Sequence, residues 1–80
     1  MPVILRINGY RFFFYSNEGD PQEPVHVHVS KAGSEVMIWL EPAVVLYRND
    51  GFRERALRDV IVIATEHRAF FAEKWHEYLA

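Results

Sequence analysis

Two histidines stand two residues apart in Pro24-Val25-His26-Val27-His28-Val29, and no other stretch of the chain carries so clear a chemical signal. Apolar and polar residues alternate through it with the period of a β-strand, so the valines share one face and His26, His28 and Ser30 share the other. Imidazoles placed this way suit three kinds of chemistry. At strand spacing their Cα atoms lie roughly 6.5–7 Å apart, close enough to chelate one metal ion. Glu18, Glu23 or Glu35 would then supply a carboxylate to complete the ligand set. As general base and general acid, each imidazole would contribute about 10²–10⁴-fold to metal-independent phosphodiester cleavage. In the third reading they are ordinary polar residues of a half-exposed strand, with His26 stacked on Trp39 across a strand pair.

The neighbouring strands decide what such a pair would meet. Val3 to Ile7 and Tyr10 to Tyr15 are strand-like runs joined by Asn8-Gly9, a strong hairpin signal because both turn positions favour positive φ. A two-residue turn sets Ile7 opposite Tyr10, Arg6 opposite Arg11, Leu5 opposite Phe12 and Ile4 opposite Phe13. One face then carries Val3, Leu5, Ile7, Tyr10, Phe12 and Phe14; the other carries Ile4, Arg6, Arg11, Phe13 and Tyr15. Two arginines directly across a strand pair repel unless something anionic joins them. A face running on into His26, His28 and Trp39 would combine arginine forks, imidazoles and stacking rings, which suits single-stranded nucleic acid. On that reading His26 and His28 are the catalytic pair, Arg6 and Arg11 clamp phosphate, and Tyr15 or Trp39 stacks a base. On the binding reading Arg6 and Arg11 pair with Glu18, Glu23 or Glu35, while Phe13, Tyr15, Met37 and Trp39 form a docking patch for a partner protein.

The remaining elements follow from turn residues and periodicity. Ser16 to Glu23 reads as a loop. Ala32-Gly33 as turn residues would pair Val29 with Val36, His28 with Met37, Val27 with Ile38 and His26 with Trp39, keeping Val36, Ile38 and Leu40 on the valine face. Glu41-Pro42 interrupts the sheet, and Ala43 to Tyr47 is a fifth short strand or an extended connector. Asn49-Asp50-Gly51 introduces a helix with Asp50 as the expected N-cap. From Phe52 to Leu79 apolar residues recur at Leu57, Ile61, Ala64, Phe71, Trp75 and Tyr78, the stripe of one long helix or of two with a break near His67. Trp75 and Tyr78 are expected in the core or an interface. Glu66, His67, His76 and Glu77 lack metal-site spacing and are expected to do no chemistry. The expected fold is α+β: an antiparallel sheet of four to five strands, built from two hairpins, with a C-terminal helix or helix pair on one face.

Composition narrows the classes. Eighty residues suit a single domain over 1–80, and 50% hydrophobic with 15% aromatic content is enough to bury a core. The absence of cysteine excludes disulfides, thiol nucleophiles and zinc ribbons. A net charge of −2 excludes a uniformly cationic nucleic-acid binder, although arginine far outnumbers lysine. No apolar run approaches the roughly 20 residues that span a bilayer, and the start carries no signal-like segment. A cytoplasmic protein with no cofactor and no membrane contact is expected.

These features together resemble a small bacterial family known as domain of unknown function 4160. The matching residues are Val3-Ile4-Leu5-Arg6-Ile7, then Gly9-Tyr10-Arg11-Phe12-Phe13-Phe14-Tyr15-Ser16-Asn17-Glu18, then Pro24 to Val29, Lys31 to Leu40, and the helix ending in Trp75. The family's usual Pro-Pro before the first histidine is Pro24-Val25 here. The resemblance implies a small protein partner, since such proteins are often encoded beside a protein of domain-of-unknown-function family 2442. Some members are labelled toxins of type II toxin–antitoxin pairs, so the resemblance further implies the toxin half of such a pair. It implies no established substrate or catalytic residue.

Overall fold

The computed structural model describes residues 3–16 and 23–79. Five strands, β1 (Val3–Ile7), β2 (Tyr10–Phe13), β3 (His26–Lys31), β4 (Ser34–Trp39) and β5 (Val45–Asp50), form one antiparallel sheet in sequence order. Two helices, α1 (Glu54–Glu66) and α2 (Arg68–Leu79), follow, giving an α+β fold. Both two-residue turns use the left-handed backbone, with φ of 51° at Asn8 and Ala32 and of 82° and 84° at Gly9 and Gly33. The second hairpin has the expected register throughout, His26 facing Trp39 and Val29 facing Val36.

The first hairpin departs from a regular ladder. Arg6 faces Arg11 and Leu5 faces Phe12 as expected, but Val3, not Ile4, faces Phe13, because the register slips between Val3 and Leu5. The slip exchanges two side chains between faces. Ile4 packs on the core, and Val3 joins Arg11, Phe13 and Tyr15 on the other face.

The core lies between the helices and the face carrying Tyr10, Phe12, Phe14, Val25, Val27, Val29, Val36, Ile38 and Leu40. Against them α1 presents Val60, Ile63 and Ala64, and α2 presents Phe71 and Trp75. Phe71 stacks on Phe12 with ring centroids 5.4 Å apart, and Trp75 meets Phe14 edge-on at 5.3 Å. Fully burying side chains of this size contributes about 1.5–3 kcal/mol each, so these rings anchor the layer. Tyr78 is not part of it: it is 55% exposed, while its neighbour Leu79 packs against the core.

Two connections differ from expectation. The fifth strand forms, but over Val45–Asp50 rather than Ala43 to Tyr47. Asp50 therefore lies in the sheet and is not a helix cap; Arg53 holds the N-cap position with no side-chain bond. Asn49 makes the turn instead, its amide donating to the Phe52 carbonyl and its oxygen accepting from the Phe52 N–H, both at 2.9 Å. Gly51 is demanded there, at φ 105°, because a Cβ would stand 2.5 Å from the Ser34 hydroxyl. The helical stripe does break at His67, whose N–H donates to the Ile63 carbonyl at 3.0 Å and whose Nδ1 lies 3.0 Å from the same oxygen.

Candidate functional site

The site residues lie on the sheet face turned away from the helices, and cross-strand pairing arranges them in rows. Pairing of β2 with β3 joins the two hairpins, setting Arg11 opposite Ser30 and Phe13 opposite His28. Pairing of β4 with β5 adds Asp50 opposite Glu35 and Arg48 opposite Met37. One row therefore reads Arg6, Arg11, Ser30, Glu35, Asp50 from edge to edge. The next reads Val3, Phe13, His28, Met37, Arg48.

His26 is the residue most changed by the tertiary structure. It is completely buried, packed edge-on against Trp39 at 5.0 Å and against His28 at 5.3 Å, with Trp75 at 4.9 Å. Trp75 reaches it where β2 has ended and β3 begins, so one indole touches residues of both faces. A ring nitrogen, Nδ1, lies 2.9 Å from the Pro24 carbonyl. A carbonyl oxygen only accepts, so His26 Nδ1 carries a proton and donates. As placed, His26 offers a substrate no surface. For a metal, that nitrogen is engaged, and no group of three His, Cys, Asp or Glu side chains gathers among the described residues. Glu18, a carboxylate considered above for that set and for pairing with the arginines, lies outside the described residues.

His28 belongs to a different cluster. The Tyr15 hydroxyl donates to the Glu35 carboxylate, 3.0 and 3.1 Å from its two oxygens, and Glu35 Oε2 lies 3.4 Å from His28 Nδ1. The Tyr15 ring stands edge-on to His28 at 4.5 Å, and Phe13 stacks on the other side of the imidazole at 5.5 Å. Glu35 keeps contact with solvent, its side chain 38% exposed, whereas His28 is buried. The carboxylate thus holds the phenol by hydrogen bonds and lies within ion-pair distance of the imidazole. Depressions of about 390 Å³ and 280 Å³ flank the Tyr15–Glu35 bond, the first reaching Tyr47 and Arg48, the second Arg11 and Ser30.

The arginines fall in the charged row rather than beside the histidines. Arg6 and Arg11 are both exposed and form no ion pair among the described residues. Trp39 stands between His26 and Tyr47, 5.4 Å from the latter, and is half-buried, as is Tyr15. The face therefore brings together Tyr15, His28 and Glu35, and separately His26, Trp39 and Tyr47. Sequence reasoning missed the central part played by Glu35. The Ala32-Gly33 turn register, which sets Glu35 opposite Ser30 and diagonal to His28, carries that signal. It also missed Arg48 and Asp50, because β5 was not followed past Tyr47.

The Tyr10 phenol lies at the opposite edge of the molecule's chemistry, in the core. Burial raises its pKa above the ordinary phenol value, and the Asp59 carboxylate beside it raises it further.

Fold and site define a small α+β protein with one helix-covered sheet face and one polar–aromatic face. Residues 9–76 match the family described as domain of unknown function (DUF4160), and the chain belongs to that family. Comparison with curated proteins and with solved structures gave no match. Among the described residues no helix is long and apolar enough to cross a membrane.

Proposed function

We propose that the protein works by binding a small protein partner, as the toxin half of a toxin–antitoxin-type pair, with β5 as the strand that receives the partner. The observation that carries this reading is β5 itself. It closes one edge of the sheet, and all six of its residues are exposed, Val45 at 52%, Leu46 at 38% and Tyr47 at 65%. An exposed apolar edge strand is a template for strand addition, and free proteins normally blunt such edges. Tyr47 and the half-buried Trp39 extend the apolar surface from that edge onto the sheet face.

Metal-independent RNA cleavage by His26 and His28 is less well supported, because a general acid or base must come within hydrogen-bond reach of its substrate. The metal alternative is limited in the same way by the proton on His26 Nδ1. The test is induced expression in a bacterial host, alone and with the protein encoded beside it. Growth arrest relieved by that protein, and no longer relieved when Val45→Lys/Tyr47→Lys is expressed instead, supports the reading. Relief unchanged by the β5 substitutions removes β5 as the docking strand, and absence of arrest removes the toxin.

A further inference from the structure

The charged row is compensated at one end only: Asp50 pairs with Arg48 at 2.9 Å and Glu35 accepts from Tyr15, whereas Arg6 and Arg11 form no ion pair among the described residues. Arg6 and Arg11 stand opposite each other at one edge of the sheet, Glu35 and Asp50 at the other, with Ser30 on the middle strand between them. Like charges directly opposite on neighbouring strands are unfavourable in an isolated sheet, and this row holds two such pairs of opposite sign. All five residues are exposed or half-buried, although Phe13, His28 and Met37 in the next row are buried.

We infer that this face binds a second copy of the same chain, the two sheets packed face to face about a two-fold axis running along β3. A half-turn about that axis keeps each register row in place and reverses strand order. Arg6 and Arg11 of one copy then lie over Asp50 and Glu35 of the other, and the reverse contact follows by symmetry. The exposed Val3 of each copy meets the stem of the other's Arg48 at the rim. A half-turn about an axis running across the strands would instead set arginine on arginine and acid on acid. Charge thus selects the axis as well as the partner. A nucleic-acid strand would match only half of the row, because Glu35 and Asp50 would repel its phosphates.

The outer backbone edge of β5 points away from the second copy, although Val45, Arg48 and Asp50 of that strand lie on the docked face; the oligomeric state is read on this chain alone, with no other protein present. Self-association therefore stands or falls independently of the partner reading.

The test is mass by sedimentation and by light scattering, for the full chain at low and high salt, with circular dichroism as the check on folding. Wild type is expected to dimerise at low salt and to dissociate as salt screens the row. Arg6→Glu/Arg11→Glu and Glu35→Arg/Asp50→Arg should each raise the dimer dissociation constant at least about tenfold, since each makes the row a single sign. Mixing the two variants should restore a dimer, because all-acidic then faces all-basic. As Glu35 also holds Tyr15, Asp50→Arg alone replaces the double variant if that fails to fold; it sets the new arginine of one copy over Arg6 of the other and should weaken the dimer in the same direction. Wild type that is monomeric at about 1 mM overturns the inference, because a complex weaker than that contributes less than about 4 kcal/mol of binding. A dimer indifferent to both charge reversals overturns it equally. So does a monomer in which Arg6→Glu/Arg11→Glu abolishes binding of a fluorescent oligouridylate, which would assign the arginines to RNA.

Discussion

The Tyr15 hydroxyl and the Glu35 carboxylate meet twenty positions apart in the chain, 3.0 Å from donor to nearer acceptor. The bond ties the end of the first hairpin to the start of the fourth strand, across β3, and places a carboxylate beside His28. Its contribution can be isolated. Tyr15→Phe and Glu35→Gln should each lower unfolding free energy, and a double-mutant cycle should give a coupling of about 0.5–2 kcal/mol, reduced from the buried value by the exposure of Glu35. Additive effects in urea unfolding would mean that the two side chains touch without stabilising each other.

His26 should behave as a core residue. His26→Ala removes a buried ring packed among Trp39, His28 and Trp75 and should cost about 2–4 kcal/mol, while His28→Ala, nearer the surface, should cost less. Any loss of biological activity in His26→Ala should track the loss of folded protein in thermal unfolding. A fully folded His26→Ala variant with no activity would restore a chemical role to that ring.

Tyr10 makes stability depend on alkaline pH, with a definite sign. Its pKa is raised in the folded state by burial first and by Asp59 second. A raised folded value means that its stabilisation is complete below the unfolded phenol value of about 10 and is lost as pH climbs through the folded value. Unfolding free energy should therefore fall above about pH 10, and Tyr10→Phe should flatten that fall. Absorbance at the phenolate band, followed alongside denaturation, assigns the proton; an unchanged alkaline slope in Tyr10→Phe would place the effect elsewhere.

The turns offer two opposite backbone effects. Ala32 occupies the left-handed region at φ 51°, which costs an L-residue about 1–2 kcal/mol; Ala32→Asn should recover roughly 0.5–1 kcal/mol by matching the Asn8-Gly9 turn. Gly51→Ala should instead destabilise by about 1–3 kcal/mol, since φ is 105° and the new Cβ would strike Ser34. Chemical denaturation midpoints with unchanged slope measure both.

Local chemistry alone determined the two hairpins. Asn8-Gly9 and Gly33 accept positive φ, and a period of two then leaves one register that keeps valines facing valines; the pairing of His26 with Trp39 and of Arg6 with Arg11 follows from counting back along the strands. The helical stripe was legible for the same reason, as was the break at His67, one of its two readings. Three things were decided only by the tertiary structure. The slip at Ile4 depends on which residue the core can accept, which no alternation pattern states. The extent of β5 depends on pairing with β4, because an edge strand exposed on both sides has no apolar period of its own. The fate of the histidines depends on Trp75, brought from nearly fifty positions away to cover His26 while leaving His28 to Tyr15 and Glu35. Alternation puts the two imidazoles on one face, but only packing distinguishes them, because burial is set by neighbours distant in sequence.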